Sequence, residues 1–392
     1  MSPRLFLEGL STLEQVSIPA AQCRSDLDIP ALNALALRSV VSLFEEKEKL
    51  FSRRITLTDD GIRREGISRK RTIIALLGLQ RLVKSGEPAP VDLASIRAAV
   101  LGDTSWVSGL GDLGLLLWFT AECAPEGLEG LLNKWQLETA LESYADGHRA
   151  CSKGLAWFLA GLGHARLACS RTLPDLTDIA VDTYHLLLGN QSECAIFGHA
   201  GLPGFFDRPF SKRFGTFADQ IYAIYALTTF ARAFDIEEPL ESALSCANAL
   251  RALQGEMGQW WFLYDRHTCR VSIRYPVLSF QQDGIAPVGL LALEEATGQN
   301  FWDSICKGLS WVAGANELGC DLRNQEQGLI WDSVGPNGRL ANYCEAALSF
   351  LNVSPEPRPE NLRIRHEARP DHFGWLLYAF GKFGLPKASN SS

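Results

Sequence analysis

Four acids stand just before or just inside apolar runs: Asp112 after Gly111, Asp219 in Phe217-Ala218-Asp219-Gln220, Asp283 in Gln281-Gln282-Asp283-Gly284, and Asp371 in Arg369-Pro370-Asp371-His372. Carboxylates gathered in this way can act as general acid and base, or hold a divalent cation. The same residue type also caps helix starts, where it satisfies orphan N–H groups and suits the dipole. Capping accounts well for Asp112 and Asp371. It accounts less well for Asp219 and Asp283, whose neighbours are glutamines and aromatic residues rather than turn formers. Gln220, Gln282 and His372 complete a polar set at these starts.

A second group is basic. Residues 53 to 71 hold Arg53, Arg54, Arg63, Arg64, Arg69, Lys70 and Arg71 against Asp59, Asp60 and Glu65, a balance of +4 in a chain whose total is −8. Arg69 and Arg71 enter an apolar run, and guanidinium groups at a helix start suit a phosphate or diphosphate. The alternative is a solvated loop with loose surface pairs. Trp260, Trp261, Phe262 and Tyr264 form an aromatic cluster that either packs in the core or walls a pocket for a sugar ring or a carbocation. Other patterns carry less. His366, Glu367 and His372 lack the spacing of a zinc helix, and Gly109, Gly111 and Gly114 spell GxGxxG without a preceding strand. Asp60-Gly61 is a turn signal as much as half of a magnesium motif.

These groups need elements to position them. Helical periodicity recurs along the whole chain, and two kinds of helix alternate. One is charged on one side: 32–51, 91–101, 131–145, 176–188, 240–253 and 301–312. The other is apolar nearly all round: 72–82, 112–121, 154–168, 219–234, 284–293 and 373–383. A helix of the second kind must be enclosed by others. The alternation therefore predicts an all-α fold, an (α/α)6-type toroid of outer and inner helices, with one small β-hairpin near 259–277. A further helical stretch at 340–351 leaves six or seven pairs open. Residues 1–392 are read as one domain, with 1–30 as an N-terminal extension and 385–392 as a flexible tail; Pro355-Glu356-Pro357-Arg358-Pro359 reads as a loop. If the inner helices run in one direction, their polar starts converge on one mouth.

Composition removes several classes. A net charge of −8 opposes nucleic-acid binding over the whole surface. No stretch is long and apolar enough to span a bilayer, and the first residues lack a signal-peptide pattern, so a cytoplasmic protein is expected. Ten cysteines, never closer than 14 residues, form no zinc spacing, and buried free thiols are the default.

Gln254-Gly255-Glu256-Met257-Gly258-Gln259-Trp260 resembles the QxxxGxW repeat of squalene–hopene-type triterpene cyclases. That resemblance implies that Gln254 and Trp260 brace neighbouring helices. The acid motif of that family, DxDD, is absent. Over a longer span, Gln259-Trp260-Trp261, Tyr275-Pro276, Gln282-Asp283-Gly284, Asn316-Glu317-Leu318-Gly319 and Gly374-Trp375-Leu376-Leu377-Tyr378 are similar to a group of uncharacterised bacterial helical proteins. In general character the chain is also similar to unconventional fungal sesquiterpene cyclases of tropolone-sesquiterpenoid pathways, and it lacks DDxxD as they do. The resemblance implies a lyase that cyclises an allylic diphosphate, farnesyl diphosphate, to a sesquiterpene. Arg69, Arg71, Lys212 and Arg213 would hold the diphosphate, and Asp219 and Asp283 would hold Mg²⁺ or act with His372 as acid and base. Gln220, Gln282, Arg369, Trp260, Trp261 and Tyr264 would line the substrate. The alternative on the same toroid is a carbohydrate-active enzyme, a glycosidase, lyase or epimerase, with Asp219 and Asp283 as the acid–base pair and His372 or Glu367 assisting. A third reading is a catalytically silent helical scaffold.

Overall fold

The computed structural model describes residues 28–146, 151–168, 175–199, 212–336 and 359–386. Outer and inner helices alternate through it. The outer series is α1 (Ile29–Ser42), α3 (Leu93–Leu101), the broken pair α5 (Leu128–Lys134) and α6 (Leu137–Asp146), α8 (Thr177–Leu188), α10 (Glu238–Leu253) and α12 (Trp302–Val312). The inner series is α2 (Arg69–Lys84), α4 (Leu110–Cys123), α7 (Ser152–Ala168), α9 (Phe217–Phe234), α11 (Ala286–Thr297) and α13 (Pro370–Phe380). A π-helical turn, Phe280–Ile285, leads into α11. The pairs number six among the described residues; the 340–351 stretch lies outside them.

Each inner helix packs on the next, and α13 returns to α2, which closes the ring. Small residues allow the close approaches. A Cβ on Gly78 of α2 would overlap the Gly374 carbonyl of α13, and one on Gly114 of α4 would overlap the Phe158 backbone of α7. The direction of the helices follows from which ends meet. Lys70 reaches Asp112, the Lys153 amide reaches Asp219, and Asp283 reaches His372, all in or beside first turns. Arg81 meets Glu122 in last turns, so the inner helices are parallel.

The axis is filled with aromatic side chains. Trp118 stacks on His164 and Tyr225, each with ring centroids 4.8 Å apart, and touches Trp375 at 5.3 Å. Tyr222 lies against both Trp157 and Trp375.

Three expectations change, and a fourth holds but is extended. Residues 32–51 are not one helix: α1 ends at Ser42, and β1 (Phe44–Glu45) and β2 (Leu50–Thr58) follow. The basic segment is not a loop, because β2 pairs with β3 (Gly61–Ile67) in an antiparallel hairpin turned at Asp59-Asp60. The expected hairpin near 259–277 exists as β5 (Leu263–Asp265) and β6 (Arg270–Ile273), joined by β4 (Phe214–Thr216). β7 (Val277–Leu278), β10 (Ser333–Pro336) and β11 (Leu362–Arg365) form a further sheet, β12 (Glu367–Ala368) extends β2, and β8 (Arg323–Asn324) pairs with β9 (Leu329–Ile330). Finally, Cys194 and Cys269 pair as a disulfide rather than standing as free thiols. Among the described residues no helix is long and apolar enough to cross a membrane.

Candidate functional site

The first turns of the inner helices share one end of the ring, so Asp112, Asp219, Asp283 and His372 all lie at one mouth. The long connections from outer to inner helices, with their small sheets, lie at the same end. At the start of α4, Asp112 accepts from the Ser108 amide and hydroxyl and pairs with Lys70 at 2.5 Å. Asp219 is fully buried in a capping box with Thr216, accepts from the Lys153 amide, and takes the His199 Nδ1–H at 2.7 Å. Burial alone would raise its pKa, but the His199 charge and the Thr216 hydrogen bonds outweigh burial and hold it below the usual carboxylate range. Asp283, also fully buried, accepts the His372 Nε2–H at 2.6 Å, and its second oxygen has no hydrogen-bond partner.

Several residues expected to touch substrate hold backbone or pack among other side chains. Gln220 accepts from the Phe197 amide at 2.7 Å and donates to the Phe197 carbonyl at 2.8 Å. Gln282 treats Trp260 in the same way, at 3.0 and 3.2 Å. Trp260 is 1% exposed and stacks on Phe217, while Tyr264 is fully buried and takes the Trp261 amide on its hydroxyl. Trp261 packs edge-on against Tyr275 and under Arg274. Arg213 makes two hydrogen bonds to Asp265, Lys212 is exposed, and Arg69 pairs with Asp103 at 3.0 Å.

What the mouth leaves partly open is a charged cluster around α13. The Arg71 Nε lies 3.4 Å from Asp371, and both side chains are about a quarter exposed, at 25% and 23%. Arg369 lies 3.3 Å from Asp332 and 3.4 Å from Glu367, which also meets Arg54. Burial raises the Asp332 pKa against the opposing charge of Arg369, so this carboxyl holds its proton more firmly than an ordinary one. Burial lowers the Arg71 pKa and Asp371 works against it. Asp371 also acts on the buried Tyr222 hydroxyl, whose ring stands with Trp157 and Trp375 on the axis. Trp157 carries Lys153 over its face at 5.0 Å. Asp332 has no sequence signal, being one acid in an irregular turn between short strands. Tyr222, Trp157 and Trp375 were hidden among core aromatics.

Asp219 and Asp283 sit on different helices with different histidine partners, and no three His, Cys, Asp or Glu are grouped to hold a metal among the described residues. No protein-family profile and no curated sequence matches the chain. Solved structures do. An unsaturated glucuronyl hydrolase specific for heparin superposes with a TM-score of 0.56 at 13% identity, covering 91% of this chain and 96% of its own. The cellobiose 2-epimerase of Bacillus thermoamylovorans B4167 gives 0.58 at 10%, covering 93% and 99%, and the family 76 mannosidase Bt3792 of Bacteroides thetaiotaomicron gives 0.54 at 10%, covering 91% and 98%. The fold is the (α/α)6 toroid.

These likenesses correct the cyclase expectation. The structures that share the architecture along nearly the whole chain are carbohydrate-active enzymes, so the sesquiterpene lyase, its isoprenoid diphosphate substrate and its magnesium lose their basis. The QxxxGxW match reflects how a loop is pinned beneath a helix ring. Gln254 donates to the Gly258 and Ser304 carbonyls, both at 2.9 Å.

Proposed function

We propose that this chain is a carbohydrate-active enzyme performing acid–base chemistry on a saccharide at the N-terminal mouth of its ring. The observation that carries the reading is the pairing of a partly exposed carboxyl, Asp371, and a buried one, Asp332, with the guanidinium groups of Arg71 and Arg369, Asp371 also acting on Tyr222, which packs against Trp157 and Trp375. A sugar ring offers an apolar face for aromatic side chains and a hydroxylated edge for charged ones. A carboxyl whose burial raises its proton affinity is suited to carry the proton that an acid returns. In this reading Asp371 accepts a proton at the substrate, and Asp332, with its raised pKa, holds one to return. His372, oriented by Asp283, fixes the start of α13. The two arginines favour a saccharide bearing a carboxylate, in keeping with the glucuronyl hydrolase among the structural neighbours.

The test is turnover. Purified protein is incubated with cellobiose, an α-1,6-mannobiose and an unsaturated uronyl disaccharide of heparin, and products are followed by proton NMR. The uronyl substrate should be consumed, and Asp371→Asn should lower kcat by roughly 10²- to 10⁴-fold with little change in melting temperature. The dense aromatic filling of the axis favours a second reading, a toroid without catalysis. Absence of turnover and of saturable binding across the set would select it.

A further inference from the structure

The opposite end of the ring, where the inner helices finish, holds a cavity of about 380 Å³ that the saccharide chemistry does not use. It lies between the C-terminal parts of α2, α7, α9 and α13 and the whole length of the short α11, from Pro287 in its first turn to Ala296 in its last. That volume is in the range of small-molecule sites. Its back wall is a connected set of polar groups. His164 Nε2 bonds the Tyr225 hydroxyl at 2.9 Å, Tyr225 bonds the Tyr378 hydroxyl at 2.8 Å, and Tyr378 donates to Glu122 at 2.5 Å. Arg81 lies over the Tyr378 ring, with its centre 4.2 Å from the centroid, and donates to the hydroxyl at 2.6 Å.

The opposite wall is different in kind. Pro287, Val288, Leu291 and Ala292 of α11 line it with aliphatic surface. At the rim stand Arg232 and Lys382, neither within ion-pair distance of an acid among the described residues, with Glu295 as the one acid in the lining. Arg81 is already met by Glu122 behind it, so the rim's excess is Arg232 and Lys382 against Glu295. His164 adds no charge near neutral pH, because burial lowers its pKa to about 4 against the pull of Glu122.

Basic residues in last turns also complement helix dipoles, and that alone would account for Arg81 and Arg232. It does not account for an open volume with one aliphatic wall, one hydroxyl-lined wall and a basic rim. We infer that the C-terminal end of the ring is a second ligand site, which takes a small organic anion with an apolar body. The carboxylate or equivalent would lie toward Arg232 and Arg81, the apolar body against α11, and a polar atom would face the Tyr225 and Tyr378 hydroxyls. The lining shares no residue with the cluster of Arg71, Asp371, Arg369 and Asp332 at the other mouth, so the inference stands whether or not saccharides are turned over.

The probe is 2-naphthoate, titrated into the full chain by isothermal titration calorimetry. Saturable binding at one site is expected, with neutral 2-naphthamide at least tenfold weaker. Arg232→Gln, at an exposed position that does not threaten the fold, should weaken naphthoate about tenfold. Ala292→Trp should fill the cavity and abolish binding, whereas Asp371→Asn at the far mouth should leave it unchanged. No saturable binding, equal affinity for the amide, or full affinity in Arg232→Gln overturns the site. So does weakening by Asp371→Asn, which would place the probe at the other end.

Discussion

Asp219 and Asp371 are both acids in the first turn of an inner helix, and their surroundings give them different work. Asp219 is fully buried and spends its oxygens on Thr216, Lys153 and His199. An amide in its place would turn one acceptor into a donor facing donors. Asp219→Asn should therefore cost about 2 kcal/mol or more of stability, read as a fall in melting temperature, and an unchanged melting curve would contradict this role. Asp371→Asn should do the reverse, sparing stability and removing turnover. The sequence cannot tell the two apart, because both present an acid before an apolar run. Burial and partners separate them, and those come from other parts of the chain. At the far end, His164 and Glu122 make stability depend on pH with one sign. Burial holds His164 near pKa 4 when folded, so between its ordinary 6.5 and about 4 the unfolded chain binds the extra proton. Burial would raise Glu122, but His164, Arg81 and two hydrogen-bond donors outweigh it and hold it near 2, so its contribution fades as pH falls from its ordinary 4.5 toward 2. Stability should drop on acidification from pH 7 to 4. His164→Gln should flatten the part between 6.5 and 4 in denaturant titrations; an equally steep slope in the variant would assign the loss to other groups.

At the scale of elements, the outer and inner helices were legible because a half-wet helix and an enclosed one differ in composition over many residues. The β2–β3 hairpin was not. Arg53, Arg54, Arg63 and Arg64 read as a charged loop, yet Leu50, Phe51 and Ile55 are buried and the arginines line the exposed parts of the strands. The single QxxxGxW match turns out to be one of two related braces. Gln191 donates to the Ala195 and Ser242 carbonyls, and Gln254 donates to those of Gly258 and Ser304. Gln220 then clamps Phe197 as Gln282 clamps Trp260. The turn residue has positive φ in both, 64° at Ala195 and 96° at Gly258, where alanine is strained. Ala195→Gly should relieve that strain and raise stability by about 1 kcal/mol, less the entropy that glycine adds to the unfolded chain; a lower melting temperature would show that the entropy term wins. The repeat escaped sequence reading because only its hydrogen-bonding logic persists, with phenylalanine for tryptophan and alanine for glycine. Close helix approach is less forgiving. Gly374→Val would drive its side chain into the Ile74 carbonyl of α2 and should cost about 3 kcal/mol or more, seen as a large fall in denaturation midpoint. A small change would mean that the two helices can part without penalty.

At the scale of the molecule, no helix pair can bury its inner face alone, since each inner helix is enclosed by two neighbours and an outer helix. Unfolding should be one event, with tryptophan fluorescence and far-ultraviolet circular dichroism following the same denaturant curve. Separate transitions would show that part of the ring holds together without closure. That closure is made between the first and last inner helices, and it is reinforced where Asn33 of α1 donates to the carbonyls of Phe380, the last residue of α13, and Gly384 just beyond it, at 2.9 and 2.8 Å. The two ends of the helical body are thus neighbours, and the ring has no structurally privileged starting point. A circular permutant that links residue 386 to residue 28 and opens the chain at the exposed Asp59-Asp60 tip should still fold, because every helix among the described residues would keep its partners.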